Sequence, residues 1–294
     1  MTTTFDYAEM TRRNIGFVTV AEQERLRAGR VFVCGTGGMG GACLQSLARA
    51  GVGAFEIADH DTFELSNLNR QVFATVGDLG RPKVEVTTRR LREIHPEVEV
   101  RPHGAEWVSH VDEILSRCRV VVNGMDDVAA GIRLYRAARA GGATVIDAYA
   151  STLPSVVVVR PGDPRPEERL GFPTVGVPPE RFTREMLDAS RLAEVEYVLV
   201  HSSTASTLDL AIAGEIVAGT RARISFAPMV VTTGNLLAYE AVAALCGRPS
   251  STDCRGWFLD PYRGRIERPR AAWIAALRRA AVRRWLRSVG RAPR

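Results

Sequence analysis

Residues 31–61 read VFVCGTGGMGGACLQSLARAGVGAFEIADHD, and the fold is decided in this stretch. The apolar run at 31–34 predicts a buried strand, and residues 39–50 place Cys43, Leu44, Leu47 and Ala48 at helical spacing. Between them, Gly35-Thr36-Gly37-Gly38-Met39-Gly40 supplies a tight turn. A second apolar run at 55–58 ends on Asp59. Strand, glycine turn, helix and strand together predict a parallel βαβ unit whose helix N-terminus offers free N–H groups to an anion. Asp59 then stands where a carboxylate can accept hydrogen bonds from ribose hydroxyls. The pattern points to a nucleotide without choosing the chemistry, and a nicotinamide-dependent oxidoreductase is one alternative it leaves open.

Outward from this unit the alternation continues. Residues 81–94 read as a helix stopped by Pro96, 98–101 as extended, 120–122 as a strand, 128–140 as a helix ending at Gly141-Gly142, and 144–146 as a strand. The order predicts an α/β fold, a doubly wound Rossmann-like and mostly parallel sheet, with a C-terminal crossover and helical extension. Residues 161–181 hold six prolines and read as an irregular crossover. Helices follow at 183–195, 206–218 and 228–245, and a hairpin pairs 257–259 with 265–267 around DPYRG. A last helix at 271–289 is expected to bury Trp273, Leu277, Val282, Trp285, Leu286 and Val289 and to expose its arginines. We read 1–160 as a nucleotide-binding core, 161–270 as the crossover and remainder of the same domain, and 271–294 as a basic amphipathic tail.

Composition narrows the class. The 294 residues are 46% hydrophobic and 24% charged, with a mean hydropathy of −0.05, which suits a globular chain. No window reads as a membrane span, and no basic segment leads into an apolar one at the N-terminus. Five widely spaced cysteines do not form a disulfide framework. A cytoplasmic protein without a transmembrane segment is expected. The net charge is +6, but residues 265–294 carry ten arginines against one glutamate, so the rest of the chain is slightly acidic. The main body is therefore no basic nucleic-acid binder, and only the C-terminal helix is a candidate for such a contact. Among 39 lysines and arginines the only lysine is Lys83.

The loop after Asp59 carries His60-Asp61 and then Ser66-Asn67-Leu68-Asn69-Arg70-Gln71, with Lys83 thirteen residues past Arg70. Arg70 offers a planar fork to phosphate oxygens, Lys83 a mobile point charge, and Asn67 a group to fix a phosphate or base edge. After the fourth strand, Asn-Gly-Met-Asp126-Asp127 presents two carboxylates that can either hold a cation or cap the helix at 128–140. A phosphoryl-handling enzyme uses such a set, whereas a dehydrogenase has no need of it. His201 precedes a Ser/Thr cluster that is expected to cap the following helix.

These motifs together resemble the ThiF/MoeB/HesA family, the bacterial relatives of ubiquitin-activating enzymes. The resemblance runs over about 13–160, with a weaker echo at 226–247. It implies an adenylyltransferase that joins ATP to a carboxylate as an acyl-adenylate and releases pyrophosphate. In that reading Gly35, Gly37, Gly38 and Gly40 hold the phosphates and Asp59 the ribose, while Asp61, Gln71 and Asp127 line the nucleotide site. Asn67, Arg70 and Lys83 bind the triphosphate, and Asp126 holds Mg²⁺. Arg13, in Arg-Asn-Ile, corresponds to an arginine that reaches the ATP of a partner subunit, implying a homodimer. The catalytic set is then Arg70, Lys83, Asp126 and Arg13.

The chain also departs from the pattern. No Cys-x-x-Cys pair is present, so no structural zinc is expected, and no cysteine lies between Cys118 and Cys246, so a thioester stage is not expected either. Cys246 and Cys254 read as small hydrophobes. Position 131 is glycine where the family has arginine, the nearest being Arg133. The expected substrate is a carboxylate on a peptide, a small carrier protein or a small molecule. A non-catalytic scaffold subunit of the same fold is the main alternative.

Overall fold

The computed structural model describes residues 4–217 and 219–289. Eight strands form one sheet: β1 (Arg30–Cys34), β2 (Ala54–Ala58), β3 (Glu99–His103), β4 (Val120–Asn123), β5 (Thr144–Asp147), β6 (Ser155–Val159), β7 (Trp257–Asp260) and β8 (Arg265–Glu267). Their spatial order is β3-β2-β1-β4-β5-β6-β7-β8. The first five are parallel, and β6, β7 and β8 each pair antiparallel with the strand before. The chain order reverses between β1 and β4, and ligands of open parallel sheets bind at such a switch point.

Eleven helices are described: α1 (Tyr7–Thr11), α2 (Val20–Ala28), α3 (Gly38–Arg49), α4 (Lys83–Ile94), α5 (Trp107–Arg117), α6 (Val128–Gly141), α7 (Pro166–Arg169), α8 (Arg184–His201), α9 (Leu210–Val217), α10 (Ala227–Cys246) and α11 (Ala272–Val289). Strand side chains alternate between two cores. Val31, Val33, Phe55, Ile57 and Val122 pack with Leu44, Leu47 and Leu237 on one face. Phe32, Cys34, Val121 and Val145 pack with Trp107, Ile114, Leu134 and Tyr197 on the other. That alternation, with apolar residues on both faces, is what a doubly wound sheet demands.

Several elements differ from the sequence expectation. The valine run of β6 is an additional strand, because the βαβ alternation leaves no place for an antiparallel strand after a seven-residue loop from β5. Helices α1, α2, α5 and α7 are likewise additional to the expected ones. The helix expected at 206–218 starts at Leu210, capped by Asp209, whose Oδ1 accepts from the Ala211 and Ile212 N–H groups. The Ser/Thr cluster before it does not cap it. Instead Ser202 donates back to the Val198 carbonyl at 2.7 Å, closing α8. His201 accepts the Arg270 N–H at Nδ1, and burial among arginines lowers its pKa to about 4, so it is a neutral structural acceptor.

In α10, 20 residues are apolar enough to cross a membrane, although no such window was expected from sequence. In the fold α10 packs on α3, where a Cβ on Gly234 would meet the Met39 carbonyl oxygen at 2.6 Å. In α11, Val282, Trp285 and Leu286 are half-buried, in line with the expected apolar face, but Trp273 and Leu277 at its start are 68% and 69% exposed, contrary to it. The helix instead turns Ala275 inward and ties itself to α8 through Arg279 and Arg283, which pair with Glu196 at 3.1 and 2.8 Å.

Candidate nucleotide and substrate site

The glycine turn runs from the end of β1 into α3 under tight steric limits. Gly35 has φ +88°, and a Cβ there would stand 2.6 Å from the Gly124 backbone. A Cβ on Gly40 would lie 1.9 Å from the Gly35 carbonyl oxygen. No larger residue fits either position, so the turn closes on itself and against the loop after β4. Its result is an α3 N-terminus capped by Gly37 with no side-chain hydrogen bond, which leaves its first N–H groups without a side-chain cap at the positive end of the helix dipole.

The predicted residues gather around that terminus by different routes. Asp59, past the end of β2, accepts at Oδ2 from the Thr36 N–H at 2.8 Å and from the Thr36 hydroxyl at 3.1 Å. Its Oδ1 accepts from the Asp61 N–H at 3.0 Å, so Asp59 ties the glycine turn to the polar loop. Arg70 runs beside α3, with its Cγ 3.8 Å from where a Gly38 Cβ would be, and Gln71 Nε2 lies 3.3 Å from the same point at Gly37. Gln71 is buried, and its Oε1 has no hydrogen-bond partner. Arg70 Nη1 donates to the Ser66 carbonyl at 3.0 Å and to Asn69 Oδ1 at 2.9 Å, which aims the guanidinium. Lys83, the first residue of α4, is buried and donates from Nζ to Asp61 Oδ2 at 2.8 Å. That contact holds the Asp61 carboxyl below its usual range.

Asn67 is placed differently from the expectation of a free phosphate ligand. It is buried, its Oδ1 accepts from the Glu64 N–H at 3.1 Å, and its Nδ2 donates to Ser66, so it braces the loop from within. Asp127 caps α6, its Oδ1 accepting from the Ala130 N–H at 2.9 Å. Asp126 is exposed beside it. No cluster of three metal-ligating side chains exists among the described residues. A protein cage for a metal is therefore not built here, but a single free carboxylate fits a hard cation that takes its other oxygens from phosphates and water. Arg13 lies in a 3₁₀ turn whose Asn14 donates to the Ala50 carbonyl, at the far end of α3. Twelve helical residues separate that end from the glycine turn, about 18 Å. Within one chain Arg13 does not join the other site residues.

Sequence reasoning missed the cavity that opens next to Asp126. It measures about 150 Å³ and is walled by Met39, Met125, Ile132, Leu170 and Phe172. Asp147, the last residue of β5, lies in it and accepts from the Tyr135 hydroxyl at 2.7 Å and Asn123 Nδ2 at 2.9 Å. Burial pushes its pKa up to about 6 against those hydrogen bonds. Glu194 of α8, also raised by burial, accepts from the Ala150 N–H at 3.1 Å. Gly131 lines the same space, which the arginine expected there by resemblance would occupy. The one available signal was that Asp147 ends a parallel strand just as Asp59 follows one. Cys246 and Cys254 lie elsewhere, and burial raises both thiols, so neither is an activated nucleophile.

Fold and site together define a Rossmann-like α/β protein with two basic side chains, Arg70 and Lys83, beside the glycine turn at the switch point. The ThiF family profile matches residues 11–273, and the chain belongs to that family. It is 41% identical over 106 residues to the SAMP-activating enzyme E1 of Haloferax volcanii and, over the same length, to the sulfur carrier protein adenylyltransferase of Thermus thermophilus. Each match covers 36% of this chain and 39% of the relative, so the chain matches well under half the length of these curated proteins. Among solved structures, PaaA superposes with a TM-score of 0.62 at 18% identity, covering 91% of this chain and 84% of that one. Escherichia coli MccB with ATP gives 0.61 at 18%, covering 86% and 68%. These two likenesses show the fold.

Proposed function

We propose that this protein is an ATP-dependent adenylyltransferase that activates a carboxylate. The observation that carries the reading is the convergence of Arg70 and Gln71 on the N-terminus of α3, with Lys83 tied through Asp61 and Asp59 to the same turn. The names of the curated relatives and the family match support it. In the reaction, a carboxylate oxygen attacks the α-phosphorus of ATP and the bond to the pyrophosphate oxygen breaks. The products are an acyl-adenylate and pyrophosphate. Negative charge shifts toward the leaving pyrophosphate, and the α3 N–H groups, Arg70 and Lys83 are preorganised to stabilise it. Asp59 keeps one lone pair, on Oδ1, for the ribose. Asp126 would hold Mg²⁺, which would supply charge neutralisation to the phosphates.

The cavity beside Asp126 accepts the end of the substrate. Its apolar walls and two carboxylates suit the backbone N–H donors of the residues just before the activated carboxylate, which itself lies beside the cavity. Arg13 stands too far from its own glycine turn to serve it, so its action on ATP is across a homodimer. Exposed Ile15, Phe17 and Val20 on the same segment favour such an interface. We place the protein in the cytoplasm, where five unpaired cysteines stay reduced.

Pyrophosphate exchange into ATP, screened with peptides, small carrier proteins and small carboxylic acids, tests the proposal. Exchange dependent on one of these classes is expected. Calorimetry showing NAD⁺ binding in place of ATP binding would overturn it, and binding of neither nucleotide would favour a scaffold subunit.

A further inference from the structure

An open groove of about 590 Å³ lies across the β5–β6 loop from the cavity, lined by Arg263, Arg265, Arg270, Arg278, Ser203 and Ser206. The two spaces share a wall. Ala150 lines the cavity, and the next residue, Ser151, shares a hydroxyl hydrogen bond with Thr204 at 2.8 Å. Thr204 sits between Ser203 and Ala205, both in the groove. A second such bond, Thr152 to Thr207 at 2.8 Å, fixes the wall. Antiparallel pairing of β6, β7 and β8 also brings Asp260 and Arg265 to the sheet edge on which Asp147 ends β5.

The groove holds more positive charge than the protein neutralises. Arg263 pairs with Asp260 at 3.2 Å and Arg265 with Glu267 at 2.6 Å. Among the described residues, no carboxylate pairs with Arg270 or Arg278. Arg270 Nε donates to the Val200 carbonyl at 3.1 Å, and Arg278 Nη2 to the carbonyls of Leu199 at 2.7 Å and Ser202 at 2.9 Å. Those acceptors belong to the end of α8 and carry only partial charge. Arg278 Nε is buried without a partner, and desolvation together with the Arg270 charge lowers the Arg278 pKa. A net excess of about two charges matches one or two carboxylates and is small for a phosphodiester track.

We propose that this groove binds an acidic side chain of a polypeptide substrate, upstream of the carboxylate that is activated beside the cavity. The proposal rests on the adenylation reading above. Glu194 in the cavity lies seven helical residues, about 10 Å, before the end of α8 at His201, and Ser203 of the groove follows two residues later. An extended chain covers that span in about four residues, which sets the position of the acid.

Two fluorescein-labelled decapeptides ending in Gly-Gly test this, one with Asp-Glu at the fourth and fifth residues before the terminus and one with Asn-Gln. Anisotropy with the full-length protein at about 50 mM salt should show about tenfold tighter binding of the acidic peptide, shrinking at about 300 mM. The difference should fall below about twofold in Ser206→Asp, which removes no arginine and places a carboxylate where the Ser206 hydroxyl now meets Arg263 Nη1 at 3.4 Å, and in Arg263→Gln/Arg265→Gln. Equal binding of both peptides, or a preference that survives Ser206→Asp, would overturn the proposal. So would tighter binding of a twelve-residue oligouridylate that is lost in Ser206→Asp, which would make the groove a nucleic-acid site. ATP calorimetry run in parallel separates the two readings. Lost ATP binding in the unmodified protein counts against adenylation, whereas intact ATP binding without a peptide preference counts against the groove alone.

Discussion

Lys83 and Asp61 are joined twice: the Lys83 N–H donates to the Asp61 carbonyl at 2.9 Å, and Nζ donates to its Oδ2 at 2.8 Å. The double contact closes the polar loop at its base and holds the only lysine of the chain beneath the surface, while Asp61 stays half exposed. A buried ammonium with a single carboxylate partner is preorganised to turn toward a phosphate without first being gathered from solvent.

Lys83→Ala and Arg70→Ala should each lower the rate of pyrophosphate exchange by about 10²–10³. Lys83→Arg should not restore it, because the planar fork does not fit the space held by an ammonium. Steady-state exchange assays on variants shown by thermal melting to be folded provide the check, and a wild-type rate in either alanine variant would remove that side chain from the reaction.

The position of Arg13 gives a mixing experiment. Each of Arg13→Ala and Lys83→Ala should be inactive alone. In a mixed dimer, the Arg13→Ala subunit keeps its own Lys83 and receives an intact Arg13 from its partner. Equimolar mixing should therefore recover about a quarter of wild-type specific activity, since about half the dimers are mixed and each has one complete site. No recovery after verified subunit exchange would argue that Arg13 does not act across the interface.

Gly131→Val addresses the cavity. A Cβ at Gly131 meets only Asn123 Nδ2, at 3.6 Å, so a branched side chain starts without a clash and then fills the space beside Asp126. ATP affinity by calorimetry should be unchanged, while the KM for the carboxylate substrate rises by about tenfold or more. A parallel loss of ATP binding would mean that the cavity belongs to the nucleotide.

Asp147 sets a pH dependence of stability. Its pKa is raised from 3.8 to about 6 by burial, so between those values the folded chain keeps a proton that the unfolded chain has lost. Stability contributed by this group is present below about pH 4 and lost as pH rises through about 6, by up to about 3 kcal/mol. Asp147→Asn should therefore be more stable than wild type at pH 7, with the advantage shrinking to nothing near pH 4. Denaturant melts across that range provide the measurement, and a constant difference would show that the carboxyl is ionised throughout.

The extent to which this site could be read in advance follows from how its parts are encoded. The glycine turn, Asp59, Arg70 and Lys83 lie within about fifty residues, at spacings set by one βαβ unit and the loop after it, and the structure gathers them around one helix end. Asn67 and Asp127 show the limit of that reading. Both sit in the motif, but the hydrogen bonds of Asn67 are used inside the loop and Asp127 caps α6. A motif specifies which residue types are near a ligand, and local geometry decides which of them are free to face it.

By itself, the sequence determined the doubly wound sheet, the glycine-capped helix terminus and the basic residues around it, because apolar periodicity, glycine chemistry and fixed spacing act over short stretches of chain. Only the tertiary structure decided that Asp147 and Glu194 share a cavity, that Lys83 is paired with Asp61, that α11 exposes Trp273, and that four arginines meet across the loop from the cavity. Those outcomes depend on contacts between segments distant in the chain. There, burial and charge pairing override the preferences that each segment shows alone.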